Sequence, residues 1–120
     1  MSKKAGPVRV VWFSRHDPLE RQIAELRRLF GEDVQVVRDP EPFDSAEDVV
    51  RRFRAAGGDE MVVVAPLSVL GRLCDLGLRP LWAEMEVVGP EEAEVVVSGR
   101  HYRFARFRRV KRLALEFEDV

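Results

Sequence analysis

The stretch Val8-Arg9-Val10-Val11-Trp12-Phe13-Ser14-Arg15-His16-Asp17-Pro18-Leu19-Glu20 decides the fold. Val8 to Phe13 is an almost unbroken apolar run, the composition of a strand covered on both faces. It ends in a polar turn, Ser14-Arg15-His16. Asp17 then reads as a helix N-cap, Pro18 as the first helical residue and Glu20 as the third, a capping-box arrangement. Leu19, Ile23, Leu26 and Phe30 give the helix one apolar face, and Gly31 ends it.

The same alternation continues along the chain. Residues 33–38 form an expected second strand around Val34, Val36 and Val37, followed by the extended loop Asp39-Pro40-Glu41-Pro42. Asp44 or Ser45 caps a second helix with Ala46, Val49, Val50 and Phe53 on one face, stopped by Gly57-Gly58. Residues 61–65 are a third apolar strand. Pro66-Leu67-Ser68 leads into a third helix carrying Leu70, Leu73 and Cys74, closed by Gly77. A fourth strand, 81–88, alternates Leu81, Ala83, Met85 and Val87 with Trp82, Glu84, Glu86 and Val88, as at a sheet edge or a partly exposed face. This order predicts an α/β fold, a short parallel sheet of strand order 2-1-3-4 with helices on it. After Gly89-Pro90, strands at 94–98, 102–107 and 110–117 predict a C-terminal antiparallel β extension. The expectation is one domain over 1–120, with a βαβ core at 8–88 and an extension at 89–120.

Bulk properties agree with one small globular unit. The chain has 120 residues, 46% of them hydrophobic, and a formal net charge of −1. That balance gives no global attraction to a polyanion. No apolar run approaches ~18 residues, and the basic start Met1-Ser2-Lys3-Lys4-Ala5-Gly6-Pro7 lacks the long apolar stretch of a signal peptide. With a single cysteine, Cys74, a cytoplasmic, reducing setting without membrane contact is expected. Arg far outnumbers Lys, and Asn and Thr are absent, which fits a GC-rich genome or a thermophile.

In open parallel sheets ligands bind beyond the carboxyl ends of the strands, where strand order reverses. In a 2-1-3-4 sheet the flanking loops are Ser14-Arg15-His16 and Pro66-Leu67-Ser68, both leading into helix N-termini that favour an anion. Ser14 and Ser68 offer hydroxyls, Arg15 a guanidinium fork, and His16 a group that exchanges protons near neutral pH. The same residues also read as an ordinary polar turn and cap. No glycine-rich phosphate loop and no metal-ligand spacing is present. Trp12 and Trp82 read as core or subunit-interface aromatics, with base stacking the less favoured alternative. A second feature is the run from Arg100 to Arg112, in which Arg103, Arg106, Arg108, Arg109 and Lys111 interleave with Tyr102, Phe104 and Phe107. It suits phosphate contact and base stacking. The acidic runs that flank it favour instead a solvated strand face paired with Glu84, Glu86, Glu91, Glu92, Glu94, Glu116 and Glu118.

The strand ending in Phe13-Ser14-Arg15-His16, the proline-containing helix start and the helix over 19–30 resemble the opening of small Rossmann-like CRISPR ancillary proteins of the CARF type, which include single-domain ring nucleases. Val63-Val64-Ala65-Pro66-Leu67-Ser68-Val69-Leu70 and Gly77-Leu78-Arg79-Pro80-Leu81 carry the resemblance further, over residues 8–85. It implies a homodimer holding a cyclic oligoadenylate, or another oligonucleotide, across its two-fold above the strand ends. It also implies cleavage without metal or cofactor, by aligning a ribose 2′-OH with the adjacent phosphate. Carried onto this chain, Ser14, Arg15 and His16 would be catalytic, and with Pro66, Leu67 and Ser68 would bind the ligand. These loops contain no lysine, so Arg15 would have to stabilise the developing charge. Two other readings stay open: a nucleic-acid-binding accessory protein using the Arg100 to Arg112 face, and a non-enzymatic protein-interaction module.

Overall fold

A computed structural model describes residues 6–120; the basic start, Met1 to Ala5, lies outside the described residues. Strands β1 (Arg9–Phe13), β2 (Gln35–Arg38), β3 (Glu60–Val63) and β4 (Leu81–Val87) alternate with helices α1 (Glu20–Phe30), α2 (Ala46–Ala55) and α3 (Leu67–Asp75). A short 3₁₀ turn, Pro90–Glu92, leads to β5 (Val95–Val97) and β6 (Arg100–Arg109). The fold is α/β with one six-stranded sheet of order β2-β1-β3-β4-β6-β5. It differs from the expected 2-1-3-4 order in running on through two further strands. β1 pairs in parallel with β2 and β3, whereas β6 pairs antiparallel with both β4 and β5.

β1 is central and apolar on both faces for a visible reason. Val11 and Phe13 face α2 and α3 and pack with Val49, Phe53, Met61, Val63, Leu70 and Leu73. Val10 and Trp12 face the other way and pack with Leu26 of α1, Val62 and Leu81. Each fully buried Val, Leu or Phe contributes about 1.5–3 kcal/mol, so these two layers fix the strand's register. α2 starts as expected: Ser45 is its N-cap, its Oγ accepting from the Asp48 amide at 3.1 Å. Cys74 is a buried core residue on α3.

α1 starts later than its sequence suggests. Its N-cap is Leu19 and its first residue Glu20, so neither Asp17 nor Pro18 takes the expected role. The Asp17 carboxylate instead pairs with Arg38 at the end of β2, and Gln22 reaches back to accept from the Leu19 amide at 2.8 Å. Gln22 is thereby buried, while Leu19, Ile23 and Phe30 are only half-buried.

β4 is internal to the sheet and not an edge. It shares only the register pair Val62–Leu81 with β3 and then follows β6 along its whole length, with an irregularity between Glu84 and Met85. The antiparallel part of the sheet is drawn over α1 by Arg21, whose guanidinium donates to Glu94 at 2.8 Å and to the Phe104 carbonyl at 2.9 Å. Phe107 stacks edge-on to Trp12, with ring centroids 6.2 Å apart.

Residues 110–117 do not form the expected strand; 110–120 carry no regular secondary structure. β6 pairs with β5 only over Arg100–Tyr102 and with β4 alone from Arg103 to Arg109, and the chain leaving it does not turn back to the free side. It starts instead along α3. The Val110 amide donates to the Pro80 carbonyl at 2.9 Å, and Leu113 lies against Gly71. Leu115 and Phe117 remain exposed.

Candidate functional site

The loops after β1 and β3 leave the same end of the sheet, since Phe13 stands in register with Val63, and the Val64 amide donates to the Phe13 carbonyl at 3.2 Å. Just beyond Val62–Leu81, β4 turns away from β3. Val63, Val64 and Ala65 therefore have no strand beside them on that side, and a cleft opens at the split. Its volume is about 340 Å³. One wall carries Trp12, Ser14, His16, Asp17, Leu19 and Gln22; the other carries Trp82, Ala83, Met85, Val95 and Val97. That valines of β5, the last strand in the sheet, face residues of β1 shows how strongly the sheet curls. The lining is mainly apolar with a few polar groups, as in small-molecule sites.

A second cavity, about 440 Å³, adjoins the first. It is lined by Phe13, Ser14, Arg15 and His16 and by the loop Pro40 to Phe43, and it shares Ser14, His16 and Val64 with the cleft. Arg52 braces that loop. Its guanidinium donates to Asp39 at 3.2 Å and to the Glu41 carbonyl at 3.3 Å, and it lies over the Phe13 and Phe43 rings.

The turn between the cavities is fixed by two hydrogen bonds. Trp12 Nε1 donates to the His16 carbonyl at 2.9 Å, and the His16 amide donates to Ser14 Oγ at 3.1 Å. Ser14 is buried, whereas Arg15 and His16 are exposed. Arg15 has no carboxylate partner among the described residues, so its charge is available to a ligand. Asp17 does not oppose it fully, because Arg38 offsets its charge. Pro66, Leu67 and Ser68 stand at the start of α3 but line neither cavity; Val63, Val64 and Ala65 do so instead. Leu67 and Ser68 are exposed.

Met85, Val95, Val97 and Gln22 enter the site without having been expected there, and Trp82 enters it against the favoured core or interface reading. Trp82 is half-exposed and is not a core residue. Its position at the start of a strand with one polar face was the available signal.

The basic strand β6 is largely committed to its own sheet. Arg103 bonds Glu86 at 2.7 Å and Glu92 at 3.0 Å; Arg106 and Arg108 both bond Glu84; Arg109 pairs with Glu60. Arg108 holds the Glu84 carboxyl below the usual range, chiefly by hydrogen bonding. Donating to Glu86 likewise raises Arg103. Lys111 is exposed and makes no ion pair among the described residues.

Among the described residues no cluster of three or more His, Cys, Asp or Glu side chains is placed to hold a metal ion, and no helix is long and apolar enough to cross a membrane. Comparison with protein-family models, curated proteins and solved structures found no significant match.

Proposed function

We propose that this chain is a Rossmann-like binding domain for an adenine nucleotide ligand, a cyclic or linear oligoadenylate, seated at the carboxyl ends of β1 and β3. One observation carries the reading: the apolar cleft and the cavity bearing Arg15 meet at Ser14, His16 and Val64. The cleft, with Trp82 at its mouth, suits a base, and aromatic stacking contributes ~1–3 kcal/mol per base. Arg15 suits the phosphate that follows. Homodimerisation belongs to the same reading. Trp82, Val87, Val96 and Val97 expose the kind of apolar surface that association covers.

The test is titration of the protein with a panel of cyclic and linear oligoadenylates without metal, followed by product analysis. Binding is expected, and Arg15→Ala should weaken it about tenfold, the loss of one charge-assisted contact at an exposed site. Cleaved products would add Ser14 and His16 as reacting groups. Equal binding by Arg15→Ala and wild type would count against the site. The face from Arg100 to Arg112 is less suited to nucleic acid, because Arg103, Arg106, Arg108 and Arg109 already hold carboxylates.

A further inference from the structure

Gln22 sits in the first turn of α1 and is 5% exposed, yet it lines the cleft. Its Oε1 accepts from the Leu19 amide at 2.8 Å. That bond fixes which way the side-chain amide faces, since the opposite orientation would set one donor against another. The amide nitrogen therefore points away from the helix end. Its neighbour there is Met85 Sδ at 4.0 Å, and a thioether is a weak acceptor. An amide nitrogen carries two donor hydrogens, and a single thioether serves them poorly, so an oxygen or nitrogen acceptor in the cleft would bind better there. The surrounding polar groups do not supply one. Ser14, His16 and Asp17 line the same cleft, but the hydrogen-bond partner of the Gln22 nitrogen is the thioether and none of them.

We propose that Gln22 is the specificity-determining residue of this cleft, donating from Nε2 to an acceptor in the plane of a bound heteroaromatic ring, such as a purine ring nitrogen. The assignment rests on the nucleotide reading above and deepens it. The apolar walls take the ring by its faces and edges, and the Gln22 amide, held in place by its bond to Leu19 and facing only a thioether, selects an acceptor. A ring of the same shape without that acceptor leaves the amide unserved, which is how a site built around a hydrogen bond rejects a near-isostere.

Gln22→Glu tests this cleanly. It keeps an oxygen to accept from Leu19, and it adds negative charge at a helix N-terminus, where the dipole favours it. The donor is lost and a charge is gained, so the loss of discrimination among the analogues, which charge repulsion would leave intact, is the deciding readout. Wild type and variant are titrated calorimetrically with adenosine 5′-monophosphate and its 1-deaza, 3-deaza and 7-deaza analogues, each lacking one ring acceptor. Wild type should bind one of the three analogues about tenfold more weakly than the parent. Gln22→Glu should bind the parent about tenfold more weakly than wild type does, and should no longer distinguish that analogue. Should the carboxylate prevent folding, Gln22→Met has similar length and no donor, and the same loss is expected of it. Equal affinity of wild type and variant for the parent overturns the assignment, as does a wild type indifferent to all three analogues. So does the absence of wild-type binding at millimolar monophosphate; oligoadenylate binding in the panel above would then leave the nucleotide reading standing without this residue's role.

Discussion

Replacing Gly58 by alanine tests the packing that holds β1 under the site. Gly58 follows α2, and its amide donates to the Phe53 carbonyl at 3.0 Å. A Cβ at this position would stand 2.4 Å from Phe53 Cε1, 2.6 Å from Phe53 Cδ1 and 2.7 Å from Val11 Cγ2. Ordinary contact begins near 3.4 Å, so atoms on two sides must each yield by most of an ångström. Neither can move freely. Phe53 is wedged into the α2 layer, and Val11 is fully buried on the central strand. Overpacking of this kind costs about 1–3 kcal/mol. In a domain of this size that lowers the melting temperature by roughly 4–12 °C. Thermal and urea unfolding followed by far-ultraviolet circular dichroism measure it. Gly77→Ala is the informative control: φ there is +89° with nothing within 4 Å of the added carbon, so only backbone strain of about 1 kcal/mol is expected. If Gly58→Ala melts with wild type, or the control falls further than Gly58→Ala does, the packing argument is wrong.

Acidification should weaken the antiparallel half of the sheet first. Glu84 has its carboxyl lowered by hydrogen bonding from Arg108, so its stabilising effect is fully present above the ordinary carboxylate range and fades as pH falls through the lowered folded value. Glu84→Gln should flatten stability against pH at the acid end, and an unchanged slope would count against the pairing. Reversing Arg106 and Arg109 to glutamate sets like charges against Glu84 and Glu60. A lower melting temperature at low salt, recovering in part as salt rises, is expected. Salt-dependent DNA binding by wild type that this double variant abolishes would instead revive the nucleic-acid reading.

Local chemistry made much of the architecture legible. The apolar run at β1, the serine cap of α2 and the apolar run at β3 each specify their element within a few residues. What escaped depends on distant partners. Asp17 looks like a cap until Arg38, on another strand, takes its carboxylate. Leu113, Leu115 and Phe117 have strand periodicity, yet the chain turns off along α3 after β6, with the Val110 amide on the Pro80 carbonyl and Leu113 against Gly71, and joins no ladder. For the site, sequence located the turn from Ser14 to His16 because topology alone points there. It missed Gln22, which sits between apolar positions of α1 and is buried by its capping bond. It missed Val95 and Val97, which arrive through the curl of the sheet. Ser68 was expected at the site because it opens a helix, and it stands outside the lining of both cavities.

The join between β3 and β4 has a mechanical consequence. A single aligned pair of residues couples the two halves of the sheet there, so this seam is where the molecule should breathe most easily, well before the layers around β1 loosen. The cavity occupies that same seam. A guest touching both banks would stitch it shut, so occupancy would be felt by the far valine strand as slower amide exchange, although nothing bound need reach that strand's backbone.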